Sequence, residues 1–118
     1  MKIPKPTAED KARFESLVPR DKRVEVKPMF GNLGAFVNGN MFMGLFGSDV
    51  GVKLDDTVQG ELTRAGGGSF GPAERPMGGY VSLPATFSAA EAKPWVASSL
   101  DYVAALPPKT PRTKKPAR

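Results

Sequence analysis

This sequence predicts an α+β domain built on an antiparallel five-stranded sheet. The sheet is a meander of four strands plus a late strand, with helices at the N-terminus, in the middle and at the C-terminus. Three observations carry that reading. Over residues 29–54 large apolar residues alternate with small or polar ones, and the pattern is cut by Gly and Asn where a meander must turn. Thr7 with Asp10, and Ser88 with Glu91, each have the form of a capping box, in which a hydroxyl accepts from a first-turn N–H and an acid reaches back. Between them, Asp55-Asp56 can open a helix that Gly66-Gly67-Gly68 stops.

Residues 1–6, with two prolines and two lysines, are expected to lie loosely on the surface. A helix over 8–18 fits the partial apolar stripe of Ala8, Ala12, Phe14, Leu17 and Val18, with Glu9, Asp10, Lys11, Arg13 and Glu15 facing water; Pro19 ends it. Residues 24–27 alternate as a first strand that stops at Pro28, and residues 33–37 form the second. Asn38-Gly39 between two apolar runs is a strong hairpin signal, because both residues tolerate the positive φ of a type I′ turn. The third strand, 41–46, places Met41, Met43 and Leu45 on one face and Phe42 and Phe46 on the other. Residues 47–49 turn the chain into a fourth strand, 50–54, in which Gly51 and Lys53 alternate with apolar residues. Links this short make consecutive strands antiparallel neighbours.

A second helix over 57–65 turns Val58, Leu62 and Ala65 inward and is weakened by Gly60. Residues 69–79, dense in Gly and Pro, read as irregular. A fifth strand, 80–83, stops at Pro84. The last helix opens at Ser88 and takes Pro94 in its first or second turn. Trp95, Ser98, Ser99, Tyr102 and Leu106 follow one face, with Val103 beside it. Residues 1–106 are thus one domain, and Pro107-Pro108 ends it.

At 118 residues the chain has length for one modest core. It has no Cys and no His, which removes disulfides, thiolate sites, the commonest general base and the usual zinc or iron ligand. No run approaches the length of a membrane span and no signal-like apolar region opens the chain, so a cytoplasmic protein without membrane contact is expected. The net charge of +5 belongs to residues 107–118, which hold five cations and no acid; the rest carries equal numbers of each sign. That tail has no large apolar residue and is expected to be disordered when free. Its Lys109, Arg112, Lys114, Lys115 and Arg118, spaced by Pro and Thr, suit an extended chain laid along phosphates, so weak contact with DNA is expected there.

Few residues suggest chemistry. Residues 66–71 match G-x-G-x-x-G literally, but they follow a predicted helix instead of opening one, so a helix stop and loop is the better reading. Asp55 and Asp56, adjacent at a helix start, read as caps and dipole partners, and Asp49 completes no cation loop. No catalytic residue, metal site or cofactor is assigned. Phe42, Phe46, Lys53 and Tyr80 are the candidates for contact with a ligand or an interface. Since both faces of the third strand carry large apolar groups, both must be covered, one by helices and the other by more helix or by a partner. A second copy of the chain is one such partner.

The order of Met29-Phe30-Gly31, Phe36-Val37-Asn38-Gly39 with Met41-Phe42, Val52-Lys53, then Met77, Tyr80, Pro84 and Trp95 resembles the N-terminal domain of the TfoX/Sxy family, bacterial regulators of competence. The resemblance runs from about Thr7 to Leu106. It implies a small α+β domain similar to secretion-chaperone-like folds, with no catalytic residues, and a part in regulating DNA uptake and competence gene expression. Full-length members carry a second, C-terminal domain; here a basic tail follows Leu106, as in a stand-alone N-terminal-type protein. The leading functional expectation is a non-enzymatic regulatory or protein-interaction module. The alternatives are an auxiliary nucleic-acid-binding protein acting through the tail, and a small enzyme or ligand-binding domain with a pocket near Lys53, Tyr80 and the 66–79 link.

Overall fold

In a computed structural model of the chain, which describes residues 5–29, 31–72 and 76–107, helix α1 (Ala8–Leu17) leads into a meander. The meander consists of β1 (Val24–Met29), β2 (Asn32–Val37), β3 (Asn40–Phe46) and β4 (Asp49–Lys53). Helix α2 (Asp56–Arg64), the short β5 (Gly68–Ser69), β6 (Tyr80–Ser82) and helix α3 (Ala89–Ala104) follow. All pairings are antiparallel, in the order β1-β2-β3-β4-β6-β5. The five expected strands are present. A sixth, Gly68–Ser69, is added at the edge, where a flexible glycine loop was expected.

The local signals act as their chemistry predicts. Both capping boxes form: Thr7 Oγ1 accepts from Asp10 N–H at 3.0 Å and Ser88 Oγ from Glu91 N–H at 3.2 Å, with each acid accepting from the cap's own N–H. Asp55 caps α2 through Val58 N–H at 2.9 Å. Asn38 and Gly39 take φ of 54° and 81° in the β2–β3 turn. Strand β1 runs through Pro28 to Met29, beyond the expected stop; β1 is an edge strand, where a residue with no N–H to donate is tolerated. Helix α3 also continues through Pro94, which lies with Ala90 on its exposed side.

Residues paired across strands share a face, so the register sorts the sheet into two surfaces. One row, Ala35–Met43–Val52–Val81, is buried, as are Leu45 and Val50. Against this face pack α1 and α3, with α2 over β6, and Phe14, Leu17, Leu62, Val96, Leu100 and Val103 complete the core.

Two expectations about facing fail, for one reason. Ala35 pairs with Met43 but Phe36 with Met41, so Phe42 is the extra residue of a β-bulge. The bulge breaks the alternation. Phe42, fully buried, joins Met43 and Leu45 in the core, and Met41 passes to the face of Phe46. Helix α3 meets the bulge with Ser99, whose buried hydroxyl donates to the Phe42 carbonyl at 2.6 Å. The inward line of α3 is therefore Ala92, Val96, Ser99, Leu100 and Val103. Trp95 and Tyr102 flank it and Ser98 faces water, about one residue round from the expected face.

Candidate functional site

The second sheet face is organised by what it lacks. Its central row reads Lys27, Gly34, Gly44, Gly51, Ser82 and Gly68 across all six strands, so a shallow trough without side chains crosses β2, β3 and β4. The ring of Phe70 lies in that trough and is 2% exposed. A Cβ at Gly51 would fall on Cγ and Cδ1 of the ring and 2.7 Å from its Cδ2, and one at Gly44 would meet its Cζ at 3.4 Å. The second face is therefore covered at its centre by the chain itself.

The glycine run ahead of Phe70 sets this placement. Gly66 (φ 116°) and Gly67 close α2, their N–H groups donating to Thr63 O at 3.1 Å and Leu62 O at 2.9 Å, a Schellman-type ending. Gly67 sits so close to β6 that a Cβ would lie 2.7 Å from Val81 Cγ1. Gly68–Ser69 then pair with β6 and aim the next residue over the sheet. After Phe70, Met77 N–H donates to the Phe70 carbonyl at 2.8 Å and holds the far end of the link. The literal G-x-G-x-x-G match is thus a helix stop joined to an edge strand.

Aromatic and cationic groups ring the plug. Phe46 meets Phe70 edge-on with centroids 6.3 Å apart, and Tyr80 lies 6.0 Å away on the other side at a 34° tilt. Tyr80 Oη donates to the Met41 carbonyl at 2.8 Å, tying β6 across to β3. Lys53, the register partner of Tyr80, carries its Nζ 5.5 Å from that ring's centroid. On the β1 side, Lys27 Nζ stands 5.0 Å over Phe36 and 3.8 Å from Glu25, an exposed ion pair of little energetic weight.

Of the four expected contact residues, the structure packs Phe46 and Tyr80 against Phe70 and sets Lys53 over the Tyr80 ring. It places Phe42 apart, inside the helix-side core. The expected pocket near Lys53 and Tyr80 is occupied in its middle by Phe70. Phe70 itself was missed because periodicity ends at α2. The signal that would have found it is the recurrence of Gly at 34, 44 and 51, same-face positions on three consecutive strands. Asp55 is engaged as a cap, and among the described residues no group of three or more carboxylates converges to hold a cation. Lys109, Arg112, Lys114, Lys115 and Arg118 lie outside the described residues. Among the described residues no helix is long and apolar enough to cross a membrane. What the site offers is an aromatic surface with lysines at its rim.

A family model described as the TfoX N-terminal domain matches residues 12–103, from α1 to the last turn of α3. No curated protein matches the chain.

Burial pushes the Tyr80 phenol up from 10.0 to about 12. The folded state thus favours the neutral phenol. This contribution to stability is fully present below pH 10 and is lost as the pH rises from 10 to about 12. Thermal unfolding followed across that window should show the wild type losing more stability than Tyr80→Phe. Parallel pH profiles for the two proteins would contradict the buried, hydrogen-bonded placement.

Proposed function

The chain belongs to the TfoX N-terminal domain family, and from that premise we propose that it is a non-enzymatic regulatory module acting through protein contact in the control of competence genes and DNA uptake. The observation that supports this is the second sheet face. Phe36, Met41, Phe46 and Tyr80 are all half-buried on it, Phe46 and Tyr80 are packed against the Phe70 plug, and Lys27 and Lys53 stand over Phe36 and Tyr80. Aromatic residues and Met on a rigid frame, with charge kept to the edge, is the anatomy of a protein interface. A rigid surface also binds without a large ordering cost. The partner is another protein or a second copy of the chain laid over this face. Substrate chemistry has little to start from here, since the sequence holds neither His nor Cys.

The test compares host cells carrying the wild-type gene, a deletion, and a Lys27→Glu/Phe36→Glu variant, reading competence-gene transcripts and transformation frequency. The deletion should shift both readouts about tenfold or more. The surface variant, folded by circular dichroism, should behave like the deletion, since a lost contact of roughly 1.4 kcal/mol already changes occupancy tenfold. Unchanged transcripts and DNA uptake in the deletion strain would refute the proposal.

A second reading, auxiliary nucleic-acid binding, is favoured by the five cations and absence of acids in residues 107–118. Duplex DNA titrated with the full chain should show log K falling with log salt at a slope of roughly −4.5 if all five cations engage phosphates. A chain ending at residue 107 should lose that affinity. Equal affinity for both chains would rule out this reading.

A further inference from the structure

On the helix side, away from the aromatic face, a cleft of about 280 Å³ opens between the end of α1 and the second turn of α3. It exists because α1 stops short: Pro19 follows an extended Val18 (φ −68°, ψ 127°), and the chain leaves α3 uncovered beyond that point. The floor is apolar and fixed, with Leu17 at 3% and Val96 at 1% exposure and Val18 beside them. The rim is cationic. Arg20 and Lys93, both exposed, are the two charged residues in the lining, and no acid joins them. The acid next in sequence, Asp21, is already held by Arg23 at 2.8 Å, so it does not compete for Arg20. Ser16 spends its hydroxyl proton on the Arg13 carbonyl at 2.7 Å, leaving Arg20 and Lys93 as the side-chain donors of the lining.

An apolar floor beneath two cations, with no acid in the lining, is complementary to a small amphiphilic anion. We propose that the cleft binds a monocarboxylate with a short apolar chain. The carboxylate is held between Arg20 and Lys93, and the chain lies against Leu17, Val18 and Val96. A guanidinium presents the paired donors that a carboxylate accepts, and the ammonium adds a second point of charge. The competing account is that the two cations merely complement the carbonyl end of α1, whose last turn has no basic residue. That account predicts no ligand.

The two accounts are separated by titrating the full-length protein, labelled for NMR, with hexanoate. Its uncharged analogue 1-hexanol is the control, and the Arg20→Gln/Lys93→Gln variant is titrated alongside. Hexanoate should give saturable shifts centred on residues 16–20 and 93–97. Binding of 1-hexanol, and of hexanoate to the variant, should be weaker by about tenfold or more. The comparison of the two ligands on wild-type protein stands even if the variant is destabilised. The proposal is overturned by shifts that do not saturate, by shifts that map elsewhere, or by equal binding of hexanoate and 1-hexanol. It is also overturned by a folded variant that binds hexanoate as the wild type does.

Discussion

The seating of the Phe70 ring on Gly51 is the contact on which the second half of the molecule depends. A side chain at Gly51 and the ring cannot both occupy the trough, whereas a Cβ at Gly44 would only touch the ring at 3.4 Å and crowd Met41 Cε at 3.2 Å. The glycines give up β propensity at the centre of the sheet, where a bare backbone is costly. What they gain is a dry seat for an aromatic ring that would otherwise be exposed in a link. The seat also explains the neighbours: β5 aims Phe70, Phe46 and Tyr80 clamp it, and the Tyr80 hydroxyl ties the clamp to β3. A sheet of this kind usually leaves one face to water or to a partner. Here the centre of that face is closed from within, and only its surroundings remain as surface.

The helix side depends on the opposite device. Where the second face removes side chains, the first gains one, because the bulge at Phe42 turns two consecutive large residues into the core. The Phe42 carbonyl at the bulge would be costly if left unpaired, and Ser99 satisfies it from α3. A polar residue at the centre of a buried helix face is thereby explained, and so is the way α3 lies on the sheet.

Much of this was legible in the residues themselves. The capping boxes at Thr7 and Ser88, the Asn38-Gly39 turn and the alternation in β2 and β4 are local chemistry, and local chemistry survives folding unchanged. The family resemblance rested on the order of short motifs from Met29-Phe30-Gly31 through Asn38-Gly39 and Val52-Lys53 to Tyr80, Pro84 and Trp95, and the match over residues 12–103 agrees with it. What could not be read was the pairing between distant segments. The bulge is a property of β2 and β3 together, and strict period-two reading of β3 put Phe42 and Met41 on the wrong faces. The strand at Gly68–Ser69 is stabilised by β6, eleven residues or more away, against its own low propensity. Phe70, in a stretch without periodicity, acquires its role only from glycines on two other strands. The same limit separates the four candidate contact residues: Phe46, Lys53 and Tyr80 lie on the second face, and the bulge carries Phe42 into the core.

Whether Phe70 and Gly51 are one packing unit is measured directly by a double-mutant cycle. Denaturant unfolding of the wild type, Gly51→Ala, Phe70→Ala and the double variant gives the four free energies. Overpacking should cost Gly51→Ala about 1–3 kcal/mol in the presence of the ring, and Phe70→Ala should cost about 3–5 kcal/mol. With the ring gone, the alanine at 51 should cost little, so the coupling energy should exceed about 1 kcal/mol. Additivity within roughly 0.5 kcal/mol would mean that Phe70 does not occupy the glycine trough, and the description of the second face would fall with it.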